Sequence, residues 1–308
     1  MMTEIKSCRL CPRQCGVSRK ETEGHGFCGM GALPVVARAA LHPWEEPCIS
    51  GVRGSGTIFF SGCSLGCVFC QNTPISTQHR IGKPVTVPQL RHIMEDLVEQ
   101  GAHNINLVTP THFLPAVRQA LQMGSLPVPV VYNCGGYERV EALRTLDGLI
   151  DIYLPDMKYR HASLGQQLSG VPDYPQRAEA AIREMVRQTG PARYDDDGMM
   201  KSGTLVRHLI LPGHTHNSID VLRWIKETFG TDVPVSIMAQ YVPCGRASEF
   251  PAINRRITRR EYDRVMNVLY ELGLDGYAQG LASAKKDFIP PFSQQEAEKL
   301  AAGPESMA

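Results

Sequence analysis

Three cysteines, Cys63, Cys67 and Cys70, fall in the stretch SGCSLGCVFCQN with the spacing C-x3-C-x2-C, and no fourth cysteine follows nearby. A closed structural zinc site takes four protein ligands. Three thiolates in one short loop instead suit a centre with an open position: a cubane iron–sulfur cluster held through three irons, its fourth free for an exogenous ligand. Zinc bound by these three plus a distant residue such as Cys134 or a histidine is the alternative. A second group, Cys8-x2-Cys11-x3-Cys15-x12-Cys28, offers four thiolates. That number satisfies structural zinc and equally a second iron–sulfur cluster. The count points to metal, and the spacing does not say which. A structural zinc supplies on the order of 10 kcal/mol of folding energy, enough to order a segment with little core.

The elements that must position these cysteines follow from periodicity. From Thr57 onward, short apolar or β-branched runs alternate with amphipathic helical stretches, the pattern of a parallel sheet with crossover helices. TIFFSG, INLVTP, VPVVYN, LIDIYLPD, LVRHLILPG and VPVSIMAQY read as strands. VPQLRHIMEDLVEQG, FLPAVRQALQMG, YERVEALRTL, QRAEAAIREMVRQTG, SIDVLRWIKETFG and RREYDRVMNVLYELG read as helices. Six strand and helix units in series predict an α/β barrel. Residues 1–50 are set apart as a cysteine-rich, metal-binding N-terminal segment, 51–282 form the barrel, and 283–308 read as a loosely held C-terminal extension. Residues 192–203, ARYDDDGMMKSG, read as a surface loop. In a parallel barrel the strand C-termini share one face, and that face carries the site. The cysteine loop, TPTH, NCGG, PDMK, LPGHTH and AQYVPC each follow a successive strand, so all six should meet at one mouth. The EEPCISG stretch would bring Glu45, Glu46 or Cys48 toward it, or be a solvated acidic turn.

The motif Cys63-Ser-Leu-Gly-Cys67-Val-Phe69-Cys70 resembles the signature of the radical S-adenosylmethionine (SAM) superfamily. Further stretches, VARAALHPWEEPCISG, GSGTIFFSGC, GAHNINLVTPTHF, DIYLPDMKY, VRHLILPG and QYVP, resemble the PflX-type group related to pyruvate formate-lyase activating enzyme. The resemblance implies a partial (β/α)6 TIM-like barrel, a [4Fe-4S] cluster on Cys63, Cys67 and Cys70, and SAM chelated by the open iron. It implies reductive cleavage of SAM to a 5′-deoxyadenosyl radical that abstracts hydrogen, of the glycyl-radical-activating type. By the same resemblance Phe69 lies near the adenine, and Thr109, Thr111 and His112 occupy the turn that contacts the SAM amino group, although that turn's double glycine and glutamate are absent here. Asp156 and Lys158 match an Asp-x-Lys pair, the lysine meeting the SAM carboxylate and the aspartate a monovalent cation. Asn133 stands where a companion aspartate is found. Arg207 would line the ribose side, and Gln240 with Tyr241 the adenine side. Implied partners are a protein or peptide substrate and an external electron donor such as flavodoxin or ferredoxin.

Plainer readings stand beside these. Asp156 and Lys158 could be a surface ion pair worth at most about 1 kcal/mol. The histidines of LPGHTH read as loop residues, and Cys48, Cys134 and Cys244 as buried thiols. With 43% hydrophobic and 20% charged residues and a formal net charge of +1, nothing in the composition favours nucleic acid or a membrane surface. No apolar run reaches the roughly 18 residues of a membrane span, and no hydrophobic signal region opens the chain, so a cytoplasmic location is expected. Ten cysteines then read as ligands or free thiols, not disulfides. Radical SAM chemistry on a small molecule or RNA, and a non-catalytic zinc-binding interaction protein, are the competing functions.

Overall fold

The computed structural model describes residues 4–79, 81–285 and 290–300. Strands β1 (Val35–His42), β2 (Ser55–Phe60), β3 (Lys83–Pro84), β4 (Ile105–Val108), β5 (Val130–Cys134) and β6 (Ile152–Pro155) come first. They are followed by β7 (Arg193–Tyr194), β8 (Met200–Thr204), β9 (Val206–Leu209), β10 (Val235–Met238) and β11 (Gly276–Ala278). β2, β4, β5 and β6 pair in parallel. β6 pairs first with β8 and then, past Leu205, bridges through Asp156 to Arg207 of β9, which runs parallel to β10. The wall β2-β4-β5-β6-β9-β10 is a partial (β/α)6 barrel, extended by β11 beside β10.

Parallel strands covered on both faces read as unbroken buried runs, and β2, SGTIFF, is buried at all six positions. The pleat then sorts side chains between two layers. Ile105 and Leu107 of β4 meet Leu90, Met94 and Val117 of the outer helices. Val131, Ile152, Leu154 and Leu205 meet Cys48 and Ile49 inside the barrel. Pro47–Ser50 therefore forms a short helical plug in the barrel, and each fully buried Ile or Leu contributes about 1.5–3 kcal/mol. The helix Val87–Glu99 is set by a capping box, with Thr86 accepting from the Gln89 backbone and Gln89 returning to Thr86, and by Pro88 in its first turn.

Three regions depart from the sequence expectation. The segment before the barrel contains β1, antiparallel to β2, so residues 35–42 belong to the eight-stranded sheet. The stretch expected as a surface loop folds as the β7–β8 hairpin, turned where Gly198 N donates to Asp195 O. The described part of the C-terminal extension is also packed down: Phe292 meets Phe59 edge-on at 5.4 Å, and Arg38 pairs with Glu296 at 2.8 Å. Among the described residues no helix is long and apolar enough to cross a membrane.

Candidate functional site

The cysteine loop begins where β2 ends, and its conformation is fixed from both sides. Val68 N donates to Leu168 O, while the Arg13 guanidinium donates to the carbonyls of Ser64, Leu65 and Ser169. The three sulfurs each have polar company. Cys63 Sγ accepts from Leu65 N at 3.4 Å, Cys67 Sγ from Ser169 Oγ at 3.0 Å and from the more distant Tyr159 hydroxyl, and Cys70 Sγ pairs with Ser76 Oγ at 3.1 Å. Burial pushes the Cys63 thiol up and the Cys70 thiol up to about 12. Thiolates here therefore need positive charge brought to the sulfurs, which coordination supplies. Cys63, Cys67 and Cys70 line one cavity together and act on one another's charge, and soft thiolates with one ligand position left open suit iron–sulfur ligation. The residues present thus fit a [4Fe-4S] cluster.

That cavity, about 160 Å³, is lined by Cys63, Cys67, Cys70, Thr109, Asn133, Asp156, Lys158 and Arg207. It continues into a second of about 230 Å³ that adds Phe69, Glu45, Glu46 and Gln240. A buried charge network forms the shared wall. Lys158 Nζ donates to Asp156 Oδ2 at 2.5 Å, and Arg207 donates to Asp156 Oδ1 (3.0 Å), Glu45 Oε2 (3.1 Å) and Asn133 Oδ1 (2.6 Å). Side-chain exposure of 13% for Asp156 and 18% for Lys158 rules out the solvated surface pair. Burial alone would raise Asp156, but Lys158 and Arg207 outweigh it and hold the carboxyl below its usual range. Burial alone would lower Lys158, but Asp156 and then Cys67 keep it above its ordinary value. Both are therefore charged near neutrality. An ammonium has three donors and Asp156 takes one, leaving Lys158 free to meet an anionic group in the cavity.

Period-2 alternation explains who faces whom: Asp156 and Arg207 share the bridge between β6 and β9, while His208, the next residue, turns outward to Met157 O and Ser218 Oγ. Thr109 lines the smaller cavity in a left-handed conformation, φ +60, unusual for a β-branched residue. Phe69 lines the larger cavity with its ring 6.0 Å from that of Tyr241. Tyr241 is a wall behind Phe69, its hydroxyl donating to Ile253 O, and does not itself reach the cavity lining. Thr111 and His112 lie outside both cavities. The turn Thr111–Phe113 is a 3-10 helix that aims them away from the mouth: Thr111 Oγ1 donates to Glu138 and His112 Nε2 pairs with Ser61 O. Ser169, a sulfur partner, carries no motif signal, and nothing in the DIYLPDMKY stretch that Tyr159 closes marks it as one. Trp44, Phe59, Met238 and Gln279 also line the larger cavity; Trp44 and Phe59 sit in the quoted stretches VARAALHPWEEPCISG and GSGTIFFSGC, while Met238 and Gln279 come from segments whose sequence reads only as strand or loop.

The N-terminal cysteines form a separate group behind this loop. Cys8, Cys11 and Cys28 are buried and Cys15 is exposed. Burial pushes Cys11 up to about 12 and also raises Cys28, with Cys8 and Cys15 close enough to add to the latter. Arg19, fully buried, donates to Met30 O, Gly31 O and His112 O and approaches Cys8 Sγ at 3.6 Å. Gly62, at φ +86, is approached so closely by Met30 and the Cys28 carbonyl that a Cβ there would sit 2.6 and 3.0 Å from them. The second cysteine group is thereby seated directly against the residue that precedes Cys63.

No family model matches the chain. The uncharacterized protein MJ0674 of Methanocaldococcus jannaschii is 30% identical over 280 residues, 88% of this chain and 76% of that protein. Among solved structures, methylornithine synthase (PylB) aligns with a TM-score of 0.49 and 15% identity over 82% of this chain and 80% of its own. SuiB of Streptococcus suis, bound to the precursor peptide SuiA, gives 0.47 and 13% identity over 76% of this chain and 51% of its own. The chain thus spans about half the length of SuiB.

Proposed function

The chain belongs to the family of the MJ0674 protein, and from that premise we propose that it is a radical SAM enzyme, with the cluster on Cys63, Cys67 and Cys70 and SAM in the two joined cavities. The observation that carries this reading is the convergence of three lone cysteines at the end of a barrel strand with the buried Asp156, Lys158, Arg207 and Asn133 network. When bound, the cluster would supply the electron that cleaves SAM to methionine and a 5′-deoxyadenosyl radical, which takes a hydrogen atom from the substrate. The protein's part is binding and orientation. Lys158 meets the SAM carboxylate, and Asp156 keeps that lysine protonated and aimed. Arg207 and Asn133 hold the polar wall beside the ribose, and Phe69 and Gln240 flank the adenine. Ser169, Tyr159, Ser76 and the Leu65 amide donate to the sulfurs, which stabilises their negative charge.

The finer reading is hydrogen abstraction from a protein glycine, supported by the resemblance of the cysteine loop and the Asp156-x-Lys158 motif to activating enzymes. A flavodoxin or ferredoxin supplies the electron, and the four N-terminal cysteines hold zinc or a second cluster. The test is iron, sulfide and zinc content after anaerobic reconstitution, with electron paramagnetic resonance before and after SAM. The comparison protein has Cys63, Cys67 and Cys70 all changed to alanine. A reduced four-iron signal that shifts with SAM and is lost in that variant is expected. Zinc alone in the intact protein, with no response to SAM, would overturn the proposal.

A further inference from the structure

A third cavity, about 330 Å³, opens beside the proposed SAM site and shares with it Trp44, Glu45, Glu46, Gln240 and Gln279. Its volume falls in the range of small-ligand sites. Its lining is one-sided in chemistry. The charged residues among its described lining are both acidic, Glu45 and Glu46, with no lysine, arginine or histidine. Glu45 is already committed to Arg207 and Asn133. Glu46 has Arg207 only as a nearby charge, without a hydrogen bond to it: it is 7% exposed, and its Oε2 is buried with no hydrogen-bond partner. Gln279 Oε1, on the same wall, is also a buried acceptor with no partner. Two unsatisfied acceptors in one pocket are costly, on the order of 1–3 kcal/mol each, unless a donor arrives. The rest of the wall mixes Pro43, Pro47, Trp44, Tyr277 and Ala278 with the polar but uncharged Ser236, Ser283 and Gln240. Trp44 and Tyr277 offer ring faces to a cation, and the prolines a surface for a hydrocarbon stem.

We propose that this pocket binds an organic cation, an ammonium or guanidinium on an apolar stem, through Glu46 and Gln279, and so holds the substrate beside the SAM site. The substrate role rests on the radical SAM reading; the cation selectivity does not. A negatively charged or purely apolar group would leave both acceptors unpaired and is excluded on the same grounds. The stem chemistry is shared by a free amine and by a lysine or arginine side chain of a peptide, and both sources fit the volume.

The test is ligand-observed NMR titration of the reconstituted protein with n-pentylammonium, n-pentylguanidinium, n-pentanol and pentanoate. The cations are expected to bind at least tenfold more tightly than the alcohol or the acid. Glu46→Gln should reduce cation affinity about tenfold and leave pentanol where it was. Trp44→Leu, at a half-exposed position whose replacement spares the fold, should weaken the cations severalfold without the same effect on pentanol. Equal binding of all four probes, or cation binding indifferent to both substitutions, would overturn the proposal. Acetyl-Gly-Lys-Gly-amide displacing pentylammonium assigns the source to a peptide, and displacement by putrescine alone assigns it to a free amine. Because the titration needs no turnover, the two readings fail separately. Cations bound by a protein that ignores SAM would sink the radical reading alone, and SAM cleavage without cation preference would sink the pocket alone.

Discussion

At the scale of single residues, Arg207 decides whether the charges of the cavity balance. Its guanidinium joins Asp156, Glu45 and Asn133, three groups from different segments. Arg207→Met leaves Glu45 buried without its cation and Asp156 with Lys158 only. Breaking a buried pair from one side costs on the order of 3 kcal/mol, so the urea midpoint should fall measurably; a midpoint equal to wild type would mean that the carboxylates simply take up protons. Lys158 poses a different question, because one of its donors is used inside the protein and the others face the cavity. Lys158→Met should weaken SAM binding, measured by equilibrium dialysis, about tenfold, or about 1.4 kcal/mol. An unchanged affinity would place the SAM carboxylate elsewhere. The sequence shows the Asp156-x-Lys158 spacing but not Glu45 as the third carboxylate, because Glu45 arrives from a turn before the barrel and no local pattern links it to a residue 162 positions away.

At the scale of elements, the strands and long helices were legible because each local signal agrees with the fold. Val87–Glu99 has its capping box, its proline and its apolar stripe, and Arg259–Glu271 has Thr258 and Glu261 in the same roles. Thr258→Ala should cost about 1 kcal/mol in a denaturation curve. Where the signal is weak the sequence does not show the element. β1 has adjacent alanines and a register shift between Val36 and Arg38, which blur its alternation. The β7–β8 hairpin hides behind DDDG, where Asp195 Oδ1 accepts from the amides of 197 and 199 and makes the turn. Thr111 and His112 illustrate a further limit: position after a strand places the backbone, and the 3-10 turn decides the side chains. Alternation along β9 has a pH consequence. His208 faces outward into a fully buried site against Met157 O and Ser218 Oγ, with Asp156 and Lys158 the nearby charges, and burial lowers its pKa to about 4. The unfolded imidazole, near 6.5, takes up a proton that the native one refuses. The contribution is present in full above pH 6.5 and is lost as pH falls toward 4, by about 3 kcal/mol at most. The denaturation midpoint should decline over that window more steeply in wild type than in His208→Gln; parallel slopes would show that the native imidazole is not held neutral.

At the scale of the whole molecule, the barrel is closed from two sides by segments that lie outside its repeating pattern. The described C-terminal residues return to β1 through Arg38, Glu296 and Phe292, and Pro290 reaches the edge of the larger cavity. The N-terminal segment packs against the cysteine loop, where Arg13 holds the loop by its carbonyls and Arg19 ties Met30 and Gly31 to His112. If its cysteines hold the proposed metal, that metal helps to order the segment, and the Arg13 contacts would carry that order to the loop around Cys63. On the proposed reading that these cysteines hold a structural metal, changing Cys8, Cys11, Cys15 and Cys28 to serine removes it and with it on the order of 10 kcal/mol of local folding energy. The amides of residues 61–70 should then exchange with deuterium faster, although nothing in that loop has changed, and iron at Cys63, Cys67 and Cys70 should be lost to a chelator sooner. Gly62→Ala tests the same contact from the other face: its Cβ would collide with Met30 at a φ of +86, which favours glycine. If both variants keep wild-type protection in the loop and wild-type iron retention, the two cysteine groups are independent units that only share a chain. If both lose them together, the second metal site exists to hold the first in shape.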